Sequence, residues 1–194
     1  MAKRGKGQKQ NQKEKKGKIA HIMDFSCAME KFKASPEFSR WRAKSPKDCL
    51  ASAFTIIEGK EPQWQACFYD SKKDRVTTFT ITGNLVSVQP ESEVFKEPGK
   101  KMERIDEENV RIDLPQLISI TSGLQREKYP SEKPMKIIAV LTGCGNGALW
   151  SVTYLTQSFK TLVIKVDAKS GEVVSDAIIS FFSTLRKDYS EKQE

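Results

Sequence analysis

The chain has 194 residues, enough for one domain or for two small domains that share a core. Hydrophobic residues make up 38% of it and charged residues 30%, which is ordinary for a soluble globular protein. Apolar runs such as 137–141 are far shorter than the roughly 20 residues of a membrane helix, and the N-terminus lacks the apolar core of a signal peptide. The sequence therefore excludes a helical membrane protein and predicts a cytoplasmic protein without a membrane partner.

The net charge of +8 is concentrated at the N-terminus. Residues 1–18 carry a charge of +7, whereas residues 19–194 carry only +1. Because this segment has almost no apolar side chains, residues 1–20 are predicted to be a disordered, flexible basic tail. Several cations on a supple chain bind phosphate backbones by releasing counterions. The predicted nucleic-acid contacts are Lys3, Arg4, Lys6, Lys9, Lys13, Lys15, Lys16 and Lys18.

Two short helices are predicted next, in an N-terminal helical segment over residues 21–44. Asp24 is placed to cap the first helix, and Pro36 suits the first turn of the second. Apolar residues of the first helix recur at the spacing of one helical face: Phe25, Ala28, Met29 and Phe32. The second helix carries Phe38 and Trp41.

A first α+β repeat is predicted over residues 45–96. It begins with a helix from Ser45 to Gly59, because a serine N-cap, a following proline and a terminal glycine frame an apolar stripe. That stripe comprises Leu50, Ala53, Phe54 and Ile57. Three antiparallel strands follow, in which apolar and polar residues alternate between turn signals: 64–70, 75–81 and 85–90.

A polar connector is predicted over residues 97–112, and a second α+β repeat with a C-terminal helix over residues 113–188. Asp113 is placed to cap the first helix of this repeat. Four strands are predicted after that helix: 136–142, 150–156, 161–167 and 172–176. Asp176 then caps the predicted C-terminal helix, whose apolar face comprises Ile178, Phe181, Phe182 and Leu185.

The two segments share an order of elements, with Trp64 and Trp150 in matching places. The predicted fold class is therefore α+β: two helix-plus-antiparallel-meander repeats with flanking N- and C-terminal helices and a disordered basic N-terminal tail. One such repeat buries too little surface to stand alone. The two repeats are expected either to pair their sheets edge to edge or to pack their helices together.

A hairpin motif closes the second predicted repeat. A strand led by Trp150 is followed by the sequence VIKVDAKSGEVV, whose turn runs from Asp167 to Val174 and places Gly171 where a positive φ costs least. This stretch resembles PepSY and PepSY-like domains, most strongly over residues 145–176, weakly over 45–90 and nowhere else. The resemblance implies a small cystatin-like α+β module, often in tandem, that restrains proteases or binds peptides.

Residues with catalytic potential form no recognisable motif. The only histidine, His21, lies at the edge of the tail, where a catalytic base would be poorly held. Three glycines surround Cys144 but precede a strand, whereas a phosphate-binding loop precedes a helix. These glycines, which favour a hairpin turn instead, are Gly143, Gly145 and Gly147.

Metal and stacking sites are also disfavoured. Four carboxylates between residues 106 and 113 alternate with arginines, which favours a solvated connector over a metal site: Asp106, Glu107, Glu108 and Asp113. The four cysteines lack the spacing of a zinc site. Cys27, Cys49 and Cys67 lie in apolar patterns and are predicted to be reduced, buried thiols, whereas exposure is the alternative for Cys144 on the glycine-rich turn. Strand aromatics could stack on bases, but a core position is favoured: Trp64, Phe68, Trp150 and Tyr154. No catalytic, cofactor or metal site is predicted.

The sequence predicts a non-enzymatic cytoplasmic RNA-binding protein, associated with the ribosome, that holds phosphate backbones with its Lys-rich N-terminal arm. The plain alternative for the arm is a solubilising extension. The alternative function is a PepSY-like module that binds or inhibits a peptide or protease partner at an exposed sheet edge, with an incidental basic tail. No cofactor is predicted for either function.

Overall fold

The computed structural model of the protein describes residues 23–57, 63–94, 101–145 and 147–180. These residues form one antiparallel sheet with α-helices packed against it. The helices are α1 (Phe25–Ala34), α2 (Pro36–Lys44) and α3 (Leu114–Lys128), and a short 3-10 helix spans Glu107–Asn109. The strands are β1 (Cys49–Ile57), β2 (Gln63–Asp70), β3 (Arg75–Thr82), β4 (Leu85–Glu93), β5 (Pro134–Cys144), β6 (Gly147–Thr156), β7 (Lys160–Asp167) and β8 (Val173–Ser180).

All eight of these strands belong to a single sheet with the order β4-β3-β2-β1-β5-β6-β7-β8. Strands that follow one another in the chain are neighbours in the sheet, except for β4 and β5, because β5 pairs antiparallel with β1 instead. Phe54 lies opposite Val140 in that central pair. The sheet therefore has β1 and β5 at its centre, and β4 and β8 at its two edges.

The predicted fold class of two helix-plus-meander repeats is wrong, because one continuous eight-stranded sheet holds the strands of both segments. The helix predicted from Ser45 to Gly59 is also wrong: the described part of this stretch forms a turn and then β1. In β1 the residues that face the helices, such as Ala53, are buried, and those on the opposite face, such as Phe54 and Ile56, are half-buried but also apolar. Its sequence therefore reads as a continuous apolar run. Such a run does not distinguish a buried strand from a helix.

The predicted C-terminal helix is wrong where the structure describes it. Asp176 does not cap a helix but lies inside β8, which continues to Ser180. Four β-branched residues favour this strand: Val173, Val174, Ile178 and Ile179. The remainder of the predicted helix, from residue 181 onward, lies outside the described residues.

The three α-helices pack on one face of the sheet and form the main core with it. Trp64 and Trp150 are fully buried, and their ring centroids lie 6.1 and 6.3 Å from that of Phe25 in α1. The indole N–H of Trp64 donates to the backbone carbonyl of Met23 at 2.8 Å, which fixes the start of α1. The aromatic residues thus join α1 to both halves of the sheet.

Several local predictions are confirmed. The Asp24 side chain caps α1, and Asp113 forms a capping box with Gln116 at the start of α3. Alternate residues of the predicted strands are buried on the helix side, including Ala66, Phe79 and Val152. Burial of strand aromatics also confirms their predicted place in the core: Trp64, Phe68, Trp150 and Tyr154.

Candidate functional site: the β8 edge of the sheet

The two edge strands differ in chemistry. β4 carries Pro90, Glu91 and Glu93, and its register with β3 shifts between Val76 and Thr78. Proline cannot donate a hydrogen bond to a neighbouring strand, and charges and bulges keep other strands from pairing at an edge. β4 is therefore a protected edge.

β8 has fewer of these protective features. Its sequence, VVSDAIIS, contains no proline, lysine or arginine, and Asp176 is its only charged residue. Val174 and Ile179 are 59% and 49% exposed. The register with β7 shifts once, at Val174, and is regular from Ser175 onward. β8 therefore offers a regular stretch of strand backbone, with apolar side chains beside it, at the edge of the sheet.

The charge of Asp176 is neutralised by the end of α3. The Nζ atom of Lys128 lies 2.9 and 2.7 Å from the two carboxylate oxygens, and the hydroxyl of Tyr129 donates to one of them. These hydrogen bonds, from Lys128 first and then Tyr129, lower the pKa of Asp176. Asp176 pairs with the core residue Ile164 of β7, so its row of the sheet faces the helices. The other row of β8 therefore carries no charge.

Helix α3 contacts the β8 region on the helix side of the sheet. Near the start of the strand, Gly171 has a φ of +78°, and a Cβ added there would lie 3.0 Å from Ile112 Cδ1 and 3.3 Å from Ile120 Cδ1. Two helical turns after Ile120, Lys128 reaches Asp176 in the middle of β8. Leu124 lies between them and is partly buried. The helix-side boundary of the β8 edge is therefore mostly aliphatic.

The opposite face of the sheet, here called the second face, is continuous with this edge. Alternate residues of its central strands lie outside the main core cluster and are half-buried. Its aliphatic and aromatic members are Phe54, Ile56, Ile138, Val140, Leu149, Leu155 and Val163. Hydroxyl residues surround them, including Thr80, Thr142, Ser151 and Thr153. Ala177 and Ile179 extend this surface to the edge, where the exposed Lys165 of β7 lies in the same row, opposite Ser175.

The predicted nucleic-acid contacts and His21 lie outside the described residues, which begin at Met23. The glycine-rich segment forms the β5–β6 hairpin, as predicted. A Cβ added at Gly143 would lie 2.5 Å from the backbone oxygen of Glu103, so this glycine allows the connector to cross the sheet closely. Cys144, at the hairpin, is exposed.

The carboxylates of the connector cap helices or form an ion pair. Asp106 caps the 3-10 helix, Glu107 pairs with Lys33 at 2.7 Å, and Asp113 caps α3. Within the described ranges, no group of three or more His, Cys, Asp or Glu side chains is placed to hold a metal ion. The cysteines are free, but the predicted burial is wrong for Cys27, which like Cys144 is exposed. Burial does raise the pKa of the half-buried Cys49 thiol.

Sequence reasoning missed the β8 edge, because it assigned part of this strand to a helix. The signal that could have revealed it is the contrast between LVSVQPESE and VVSDAIIS, since only the first contains the proline and the paired glutamates of a protected edge. The position of each strand in the sheet cannot be read from that contrast alone.

No family model and no curated protein matches the chain. Its fold is similar to that of a protein from Clostridium difficile 630 whose crystal structure is described as that of a "putative lipoprotein". The two share 12% sequence identity with a TM-score of 0.50, over 81% of this chain and 93% of the other. This likeness concerns the fold alone. The expected α+β tandem repeat of the PepSY resemblance is therefore wrong, whereas the family relationship itself stays a prediction.

Among the described helices, none has the length and apolarity needed to cross a membrane. The cytoplasmic location stays a prediction.

Proposed function

We propose that the protein is a non-catalytic binding protein that pairs an extended segment of a partner protein with the edge strand β8. The observation that carries this proposal is the contrast between the edges: both have exposed aliphatic residues, but β4 has a proline and two glutamates, whereas β8 has no proline and a single, neutralised charge. An extended peptide added to a sheet gains main-chain hydrogen bonds, and its alternate side chains contact the surfaces on either side.

The chemistry of the partner segment follows from those surfaces. One row of its side chains would lie beside Ala177 and Ile179, on the second face, where Lys165 of β7 lies opposite Ser175. The other row would lie beneath α3, close to Ile120 and Leu124, which are partly buried aliphatic residues. Because both surfaces consist mostly of aliphatic and hydroxyl side chains, with Lys165 as the charged residue nearest β8 on the second face, the fitting partner is an extended segment whose β-branched or apolar residues alternate with uncharged polar ones.

The proposal is tested with labelled decapeptides in which threonine alternates with valine, isoleucine or phenylalanine. The peptides are titrated into the full chain, and binding is followed by fluorescence anisotropy. The matched control peptides carry N-methyl groups at every second peptide bond, which removes the donors along one edge but preserves the side chains. We expect saturable binding of the unmodified peptides and at least about ten-fold weaker binding of the methylated ones, because strand addition depends on main-chain donors.

Variants of the protein locate the site. Val174→Lys combined with Ile179→Lys places charge on the β8 edge, as natural protected edges do. Leu85→Lys combined with Val88→Lys makes the same change at exposed positions of β4. We expect only the first pair to weaken peptide binding. Equal binding of methylated peptides, no binding of any peptide, or an equal effect of both variant pairs would contradict the proposal.

A second candidate function rests on charge. The eight cations and single glutamate of residues 1–18 favour binding to the phosphate backbone of RNA. The test is deletion of residues 1–18, followed by RNA-binding measurements over a range of salt concentrations. We expect the deletion to remove most of the affinity and to flatten its salt dependence. Unchanged RNA binding after the deletion would exclude this role for the segment.

A further inference from the structure

A groove of about 650 Å³ separates α2 from β4, on the helix side of the sheet. Arg40, Trp41 and Lys44 line it from α2, and Lys73 lines it from the β2–β3 turn. These residues lie on a different edge of the molecule from β8, at the opposite end of the strand order. The groove is therefore separate from the proposed peptide site.

Cations outnumber carboxylates in this groove. Arg40 Nη2 lies 3.0 Å from Glu37 Oε1, and Lys73 Nζ lies 2.6 Å from Glu91 Oε1 and 3.8 Å from Asp70 Oδ2. Lys44, in the last turn of α2, is exposed. Ion pairs as exposed as that of Arg40, whose side chain is 73% exposed, are weak in water. An incoming anion can therefore replace Glu37 as the partner of Arg40 at small cost.

The floor of the groove is aromatic. Trp41 packs against Phe68 and Phe79, with ring centroids 4.9 and 5.2 Å apart. Its indole N–H is buried and has no acceptor among the described residues. Trp41 as a whole is half-buried and lines the groove, so a ligand there can contact its ring.

The excess of Lys and Arg at the N-terminus extends in sequence through α2, which lines the groove. Residues 1–47 hold fourteen Lys or Arg and four Asp or Glu, a net charge of +10, whereas residues 48–194 have a net charge of −2. Helix α2 lies within the basic stretch and supplies two of the groove's cations. A polyanion attracted by residues 1–18 thus meets further positive charge on the folded part of the chain.

We propose that the groove between α2 and β4 binds the phosphodiester backbone of a single-stranded RNA, with Lys44, Arg40 and Lys73 as the phosphate contacts. This inference rests on the second candidate function and adds to it a site on the folded part of the chain. Cations set along an aromatic-floored groove are the arrangement by which proteins hold single strands without reading their sequence.

The test uses the full chain and a labelled fifteen-nucleotide oligouridylate, with anisotropy measured at several salt concentrations. Lys44→Glu reverses a charge in the groove. Lys133→Glu makes the same change at an exposed lysine in the loop before β5. A third protein lacks residues 1–18. Circular dichroism melts check that each variant is folded.

We expect Lys44→Glu to weaken RNA binding about ten-fold at low salt and to lower the slope of log Kd against log salt by about one, because a phosphate contact is lost. Lys133→Glu should change the Kd by less than about two-fold. If Lys44→Glu behaves like Lys133→Glu while the deletion abolishes binding, the groove proposal is overturned and the N-terminal proposal stands. If the wild-type chain does not bind the RNA, both are overturned.

Discussion

Lys128 at the end of α3 holds Asp176 in the middle of the edge strand β8, with Nζ 2.9 and 2.7 Å from the two carboxylate oxygens. Tyr129, the next residue, donates its hydroxyl to the same carboxylate. These contacts join residues 48 and 47 positions apart in the chain. They attach the edge strand β8 to α3. They also direct the carboxylate of Asp176, the only charged side chain of β8, toward that helix.

This relationship predicts a specific pH dependence of stability. The hydrogen bonds from Lys128 and Tyr129 lower the folded-state pKa of Asp176, so the folded state binds the proton more weakly than the unfolded state. The stabilisation is present above the unfolded pKa of about 4 and is lost as the pH falls through the lowered folded pKa. Asp176→Asn should lower the melting temperature at pH 7 and should lose less stability than the wild type between about pH 5 and pH 2.

Thermal unfolding followed by circular dichroism measures this difference. Tyr129→Phe is the companion variant, because it removes one donor but leaves the ion pair. The pKa of Tyr129 is raised by its hydrogen bond to Asp176, so the tyrosine's contribution is present below about pH 10 and is lost above it. If the melting temperatures of the wild type and of Asp176→Asn fall by the same amount as the pH is lowered, the carboxylate contributes nothing to this pH dependence.

Two glycine-to-alanine substitutions should have opposite effects. At Gly143 the new Cβ would lie 2.5 Å from the backbone oxygen of Glu103, so the connector must shift and the cost should be about 1–3 kcal/mol. At Gly123, inside α3, nothing lies within 4 Å of the new Cβ. Gly123→Ala should therefore stabilise the protein by up to about 1 kcal/mol through helix propensity. Urea unfolding gives both values, and a neutral Gly143→Ala would argue against the close crossing.

Two leucines at contrasting depths test the placement of the core. Leu162 is fully buried on the helix side of β7, whereas Leu85 is 69% exposed on β4. Leu162→Ala should cost about 2–5 kcal/mol of unfolding free energy, because it leaves a cavity among packed residues. Leu85→Ala should change stability by less than about 0.5 kcal/mol. Similar costs at the two positions would mean that the helices do not cover the face that carries Leu162.

Local chemistry made parts of this fold predictable. Asp24 and Asp113 follow the rules of helix capping, and the alternation around Trp64 and Trp150 identified the buried row of β2 and β6. These features depend on a few residues that are close in sequence, so they can be predicted directly from sequence patterns.

The errors arose where the neighbours are distant in sequence. The sequence predicts a helix in place of β1 because Leu50, Ala53, Phe54 and Ile57 satisfy a helical stripe as well as a central strand with apolar residues on both faces. β8 was assigned in part to a helix because Asp176 resembles an N-cap, whereas its carboxylate is bound by α3. The β8 edge could not be predicted, since it depends on the order of the strands in the sheet.

Hydrogen exchange of backbone amides, measured by mass spectrometry with and without the alternating threonine–valine peptide, tests the β8 edge most directly. Strand addition predicts slower exchange for amides between Ser175 and Ile179 in the presence of the peptide, no change between Leu85 and Gln89 of β4, and no effect of the N-methylated peptide. Bound peptide that leaves β8 exchange unchanged, or that slows exchange along β4 instead, would contradict the account.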